Sequence, residues 1–301
     1  MNCRKTQKQT QSQLLFHLPT VQLIGVQKAG TSALADWLFD EGGYCRPKVF
    51  DNEPWYYSKE THFFDIDSRY NHGVSFYAKR FLNSGPRNMD ATLDTLLFAD
   101  RVRAIYDAAG GNQAIELKIL VILREPVSRE LSLYNHLAYD CRNLSSAERN
   151  DWHNQVLKND GTIMSFDEFV DTVSIPGLKR VSGPGRSSRH GLYAKHLNNW
   201  FQLFGREQIL ILSYSELLKN APKIQERVRM FLGHAIPGSI CQSNSNDSRD
   251  KIKAPSSRAA RSLLSIFGPE NEKLYQLLRD KRGPPMEQRP YPEFESYSSN
   301  G

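Results

Sequence analysis

Three short segments of this 301-residue chain carry residue types able to do chemistry. The first is Gly25-Val26-Gln27-Lys28-Ala29-Gly30-Thr31-Ser32. A glycine-bearing loop that runs into a helix presents free backbone N–H groups and the positive end of the helix dipole, which is a phosphate site. Lys28 adds a point charge, and Thr31 and Ser32 add hydroxyl donors. The pattern is not a Walker A loop, where lysine directly follows the last glycine. Here Lys28 precedes Gly30 by two positions, and no strand ends in the aspartate that would hold magnesium. The same residues also suit a plain strand-to-helix turn with a solvated lysine. The second segment is Arg124-Glu125-Pro126-Val127-Ser128-Arg129-Glu130-Leu131-Ser132, continuing to His136. Arg124 ends an apolar run, where open α/β sheets bind ligands. Ser128 and Ser132 share a helix face, so Arg124 and Ser132 can clamp one phosphate through charge-assisted bonds. The competing reading pairs Arg124 with Glu125 or Asp140. The third is Ser58-Lys59-Glu60-Thr61-His62-Phe63-Phe64-Asp65. As a strand it places Glu60, His62 and Phe64 on one face and Lys59, Thr61, Phe63 and Asp65 on the other. A carboxylate and an imidazole on one face can act as base and orienter. In isolation this octapeptide reads better as a surface strand with alternating salt bridges.

The elements that must hold these segments are legible from periodicity. Val21 to Val26 is a short apolar, β-branched strand ended by glycine, and Ser32 to Phe39 has a helical period. Residues 40–60 read as loop. Lys118 to Leu123 has no alternation, as expected of a central parallel strand covered on both faces. Pro126 is a favoured first helical residue, and Val127 to Tyr139 reads as a helix. Residues 140–165 are polar. Phe166 to Val173 reads as a short helix with Ser165 as N-cap and Glu168 at the capping-box position. Gly177 to His190 is a basic Gly/Ser-rich loop. Leu192 to Phe204 reads as an amphipathic helix, Gln208 to Leu212 as a third buried strand, Ala221 to Leu232 as a helix, 239–258 as a polar loop and 259–280 as a last helix. Strands alternating with helices make the class α/β with a central, mainly parallel sheet flanked by helices. The expected organisation is a flexible lead-in over 1–17, one domain over 18–282 and a Pro-rich tail over 283–301.

Composition narrows the function. With 39% apolar and 24% charged residues the chain is of globular type, which excludes wholesale disorder and collagen-like repeats. Thirty-nine basic against 33 acidic residues leave a net charge of +6, which suits an anionic ligand. No run approaches the roughly 18 apolar residues of a membrane span. Met1 to Gln13 lacks the apolar stretch of a signal peptide, so the protein either is soluble where it is made or begins here at an unnatural start. Cys3, Cys45, Cys141 and Cys241 are widely spaced. They form no zinc pattern, and one or two disulfides fit without a preferred pairing. Asn143-Leu-Ser and Asn246-Asp-Ser are glycosylation triplets of a kind that arises often by chance.

Taken together and in this order, the segments resemble the glycosaminoglycan sulfotransferases: the heparan sulfate 3-O-sulfotransferases and the N-sulfotransferase domain of the N-deacetylase/N-sulfotransferases. The resembling residues are LIGVQKAGTSAL (23–34), KETHFFD (59–65), ILVILREPVSRELSLYNH (119–136) and GLYAKHLNNWFQLFGREQILILSYSELL (191–218), with a fainter FGPENEKLYQLL (267–278). The resemblance implies a P-loop-like three-layer fold and the donor 3′-phosphoadenosine 5′-phosphosulfate (PAPS), with no metal. It implies that Lys28, Ala29, Gly30, Thr31 and Ser32 hold the 5′-phosphosulfate, and that Arg124 and Ser132 hold the 3′-phosphate. Glu60 is then the base and Lys28 the group that neutralises the leaving phosphate. His62 and Asp65 orient Glu60 or touch the acceptor. The implied acceptor is a carbohydrate, an anionic polysaccharide, with no nucleic-acid partner, and the implied compartment is the Golgi lumen. The chain departs from the family in three places. Met89-Asp90-Ala91-Thr92-Leu93-Asp94 stands where relatives carry E-K/A-T/S-P-x-Y, with Asp90 in place of the Glu and no counterpart of the Lys that some members use. Cys241 has no nearby partner to close the disulfide-flanked basic loop, for which Asp250-Lys251-Ile252-Lys253 offers only Lys251 and Lys253. The membrane anchor of most members is missing. The competing functions are a P-loop nucleotide phosphotransferase, a polyanion-binding protein using Lys179, Arg180, Arg186 and Arg189, and a sulfotransferase for small phenols or steroids.

Overall fold

The computed structural model describes residues 17–51, 53, 55–82, 86–173, 190–241, 251–279 and 294. Four strands, β1 (Val21–Leu23), β2 (Met89–Asp90), β3 (Lys118–Leu123) and β4 (Ile209–Ser213), form one parallel sheet in the order β2-β1-β3-β4. β3 lies between β1 and β4, and every residue after Lys118 in it is buried. That double cover is why its sequence does not alternate. β1 is shorter than its apolar run predicts. The ladder nevertheless continues, through Ile24 N–H to Leu120 O (3.0 Å), Ile122 N–H to Gly25 O (2.9 Å) and Val26 N–H to Ile122 O (2.8 Å).

The chain passes from β1 to its neighbour β2, then crosses back over β1 to β3. The strand order therefore reverses between β1 and β3, and a crevice opens there at the carboxyl ends of the strands. Seven helices of eight or more residues occur among the described residues: α1 (Thr31–Asp40), α2 (Ala99–Ala109), α3 (Pro126–Asn143), α4 (Phe166–Val173), α5 (Tyr193–Leu203), α6 (Ala221–Leu232) and α7 (Ser257–Arg279). The apolar faces of α1, α2, α5 and α6 join the sheet in the main core, while α3, α4 and α7 enclose a second cluster around Leu133, Phe169 and Phe267. Ser165 and Glu168 form the expected reciprocal cap of α4, with bonds of 2.7 and 3.3 Å. No helix of the described residues is long and apolar enough to cross a membrane.

The segment Ser58–Asp65 is not a strand. A 3-10 turn over Trp55–Ser58 leads into it, His62 adopts a left-handed φ of 49°, and both Phe63 and Phe64 are buried. Two consecutive buried rings cannot arise from an alternating surface strand. What holds the segment is Asp90 on β2. Its carboxyl group accepts from Thr61 Oγ1 (2.6 Å), Thr92 Oγ1 (2.6 Å), Tyr77 OH (2.9 Å) and the Thr92 and Thr61 backbone N–H groups (3.1 and 3.3 Å). Tyr77 OH in turn accepts from Gln22 on β1 (2.8 Å), so a fully buried polar network ties the segment to the centre of the sheet. The sequence reading omits two elements: β2, with only two residues, and α2, although the buried Val102, Ile105, Tyr106 and Ala109 of α2 recur at a helical period.

Neither Cys141 nor Cys241 forms a disulfide; the Cys141 thiol donates to His153 O (3.2 Å). Cys3, Asn246, Asp250, Lys179, Arg180, Arg186 and Arg189 lie outside the described residues, as do the lead-in before His17 and the Pro-rich tail except Phe294.

Candidate active site

The loop after β1 and the end of β3 meet at the crevice. Lys28 has a left-handed φ of 68° and Gly30, the N-cap of α1, has φ 81°. A side chain at Gly30 would place its Cβ 2.9 Å from Leu217 Cδ2 and 3.2 Å from the Tyr214 ring, so glycine is required there by both backbone and space. α1 has no side-chain cap and no acidic residue in its first turn. The N–H groups of Thr31, Ser32 and Ala33 therefore keep the donor capacity and positive potential that favour an anion.

Arg124 does not pair with Glu125 or Asp140. Glu125 caps α3 by accepting from the Val127 and Ser128 N–H groups (2.9 and 2.6 Å), and Asp140 lies by His136 (3.5 Å) and His153 (3.7 Å). Arg124 instead donates from Nη1 to the Lys28 carbonyl at 2.8 Å and stacks over the Tyr214 ring at 4.7 Å, while its own carbonyl accepts from Tyr193 OH (2.7 Å). The two candidate anion-binding segments are thus directly bonded. Burial and the neighbouring Arg124 bring the Lys28 ammonium down to about 8, with Lys251 acting in the same direction and Asp140 against it. Burial also lowers the Arg124 guanidinium. Cations crowded in this way form a pocket that gains energy from an anion.

Ser132 is half-buried on α3, on the face that also carries His136. The His136 imidazole is pushed down to about 4 by burial and by Lys28, so this face looks toward the lysine. Lys251 reaches the same region because the Asn135 side chain grips the Ile252 backbone twice, accepting from its N–H (3.0 Å) and donating to its carbonyl (2.9 Å). Lys253 is exposed.

The third segment approaches from the β2 side. Lys59 Nζ donates to Ser32 Oγ at 3.0 Å and lies 3.2 Å from Glu60 Oε1. Glu60 is thereby joined to the first turn of α1. Burial raises its pKa, against the opposing charges of Lys59 and His62, which strengthens it as a base. His62 is 3.7 Å from Glu60 Oε2 through Nε2 and hydrogen-bonded to Asp65 through Nδ1 at 3.0 Å. Burial opposes charge on His62, but the Asp65 bond and the carboxylates of Asp65, Glu60 and Asp94 prevail and raise its pKa. The donor atoms of His62, Asp65 and Asp94 lie within 4.8 Å of one another. Within that trio His62 is bonded to Asp65, and Asp94 also lies 2.9 Å from His190.

The structure thus brings together Lys28, Ala29, Gly30, Thr31, Ser32, Glu60, His62, Asp65, Arg124 and Lys251. Sequence reasoning passed over Lys59 as the bridge to Ser32, although it lies within KETHFFD. It passed over Asp94 and His190, which are 96 residues apart in the chain and share no motif. Asp90 is a buried hydrogen-bond hub and takes no place in the crevice.

Residues 18–257 match the sulfotransferase domain family. Heparan sulfate glucosamine 3-O-sulfotransferase 5 of Homo sapiens is 28% identical over 233 residues, covering 77% of this chain and 57% of that protein. The bifunctional heparan sulfate N-deacetylase/N-sulfotransferase 4 of Mus musculus is 27% identical over 226 residues, covering 72% of this chain and 22% of that protein. The chain therefore spans little more than half the length of the first relative and about a fifth of the second. A sulfotransferase from Alicyclobacillus acidocaldarius has the same fold, with a TM-score of 0.61 and 22% identity over 86% of this chain and 95% of that one. By the extent of the family match, this chain belongs to the sulfotransferase domain family.

Proposed function

We propose that the protein transfers a sulfuryl group from PAPS to a hydroxyl or amine of a carbohydrate, an anionic polysaccharide of the glycosaminoglycan type. The observation that carries the reading is the continuity of the three segments. Arg124 bonds the Lys28 carbonyl, and Lys59 joins Glu60 to Ser32 of the same loop. One bisphosphorylated ligand held by the loop and by Arg124 would then present its reactive end toward Glu60.

The donor supplies the sulfuryl group and 3′,5′-ADP as leaving group. Lys28 and the N–H and hydroxyl groups of residues 29–32 hold its phosphosulfate and offset the charge that grows on the leaving oxygen. Arg124, Ser132 and Lys251 hold the 3′-phosphate, with Lys253 beside them. Glu60 takes the proton from the attacking oxygen or nitrogen, and His62, fixed by Asp65, orients the Glu60 carboxylate. No step in this scheme calls on a metal. Residues 18–282 form the catalytic unit in this reading, and the Golgi lumen is the compartment in which such a polysaccharide would be met. The names of the heparan sulfate relatives support the acceptor class.

The test is transfer of radiolabelled sulfate from PAPS over a panel of glycosaminoglycans and small alcohols, with equilibrium binding of 3′,5′-ADP measured in parallel. Glu60→Gln should keep nucleotide affinity and lose about 10²- to 10⁴-fold in turnover. Full activity in this variant would overturn the base assignment.

A further inference from the structure

This inference rests on the sulfotransfer reading and concerns an arginine that the reading leaves unused. Glu60 and His62 flank Thr61, which is fully buried. Asp90 holds Thr61 from the sheet, accepting from its N–H (3.3 Å) and its Oγ1 (2.6 Å). The segment is not a strand, so the buried Thr61 carbonyl needs a donor from outside a ladder. Arg69 supplies it, Nη1 donating at 2.6 Å. Arg69 lies in the single helical turn Asp67–Tyr70. Its Nη2 donates to Glu53 Oε1 at 3.0 Å, and its guanidinium lies over the Tyr57 ring at 4.1 Å. Both partners are themselves fixed. Glu53 accepts a forked pair of bonds from Arg80 (2.6 and 2.7 Å), whose side chain is 1% exposed, and a third from the Phe50 N–H (2.9 Å). The Tyr57 ring packs 5.4 Å from the His62 imidazole.

We propose that Arg69 is a positioning residue for the candidate base: by holding the Thr61 carbonyl and backing the Tyr57 ring, it fixes His62 against Glu60. The carbonyl matters because His62 has a left-handed φ of 49°. A residue other than glycine keeps such a conformation where its surroundings over-determine it. Releasing the Thr61 carbonyl would free the Thr61–His62 peptide plane to rotate. The imidazole that stands 3.7 Å from Glu60 Oε2 would turn with it. Asp90 and Arg69 grip Thr61 differently. The carboxylate ties the residue to the sheet, and the guanidinium sets the direction in which the chain leaves it. Arginine suits the place because its planar fork bonds two oxygens and stacks on a ring at once, which the ammonium of a lysine does not match.

The test is steady-state transfer by full-length Arg69→Met, alone and combined with Glu60→Gln. Binding of 3′,5′-ADP and the NOE between the Tyr57 and His62 rings of the ligand-free protein are measured beside it. Arg69→Met should lower kcat by about 10- to 100-fold, the cost of a small misplacement, while 3′,5′-ADP affinity stays within about twofold of wild type. The NOE should weaken. In the Glu60→Gln background the same substitution should cost nothing further, because both changes act on one proton transfer. A residue that merely supports the fold would lower the active fraction alike in both backgrounds. Arg69→Lys should fall between wild type and Arg69→Met. Wild-type kcat in Arg69→Met, or an equal loss in both backgrounds, overturns the proposal. Should Arg69→Met fail to fold, Arg69→Lys carries the test, and wild-type kcat with an unchanged NOE in that variant overturns it. Absence of transfer by the wild-type protein across the whole panel removes the sulfotransfer reading and the positioning role with it. The NOE would in that event still report whether Arg69 sets Tyr57 against His62, so the two failures are distinguishable.

Discussion

Lys28 shows how one residue can hold two requirements in tension. Its backbone takes the left-handed conformation that only a tightly bonded loop sustains, and its carbonyl is held by Arg124 while its ammonium is buried beside the same guanidinium. The unliganded lysine loses its proton at about pH 8, and a bound phosphate would restore it. Affinity for 3′,5′-ADP is therefore expected to be flat below that pH and to fall above it, by up to about tenfold per pH unit. Isothermal titration at several pH values checks this. Lys28→Met should weaken binding about tenfold to hundredfold, the worth of one charge-assisted bond, and should abolish the slope. A slope that persists in Lys28→Met would assign the titration to another group.

At the scale of elements, the crevice is built by β2 as much as by the glycine loop. Asp90 converts a two-residue strand into the anchor of the segment that bears Glu60. Asp90→Ala would leave the buried hydroxyls of Thr61, Thr92 and Tyr77 without their acceptor, and should cost about 3 kcal/mol or more. Chemical denaturation measures the loss; a change under about 0.5 kcal/mol, the range of an ordinary surface substitution, would contradict the hub. On the opposite wall, Gly30→Ala sets a Cβ in the left-handed region, at about 1–2 kcal/mol, and presses on Leu217 and Tyr214. Because the Tyr214 ring lies under Arg124, this variant should also weaken 3′,5′-ADP binding. Wild-type affinity in Gly30→Ala would show that the ring does not pass the strain on.

For the whole molecule, the decisive feature is that the two segments proposed to bind phosphate belong to strands on either side of the topological switch. A ligand spanning them binds the folded state alone, so saturation at 100 times its dissociation constant should stabilise the protein by about 2.7 kcal/mol. In a domain of this size that is a rise of roughly 5–10 °C in melting temperature. Arg124→Ala and Lys28→Met should each remove most of the rise, and the double variant little more, because the residues act on one ligand and are bonded to each other. Additive losses would mean that the segments bind independently.

The sequence by itself determined the elements that local chemistry governs. Val121 and its neighbours read as a central strand because a strand covered on both faces has no polar positions. Ser165 and Glu168 announced the start of α4 because capping is a matter of three residues. The lysine and glycine of the loop, and the arginine closing β3, could be named as candidates because phosphate sites at strand ends are set by short spacings. Only the tertiary structure decided that Ser58–Asp65 is an irregular segment hung on a buried carboxyl group, that Arg124 turns to the Lys28 carbonyl, and that Asp94 and His190 meet. Those contacts join residues 29 to 96 positions apart. Hydrophobic period and turn chemistry describe only near neighbours, whereas these meetings are fixed by the crossover of the chain between β1 and β3 and by the need of buried polar groups to find partners.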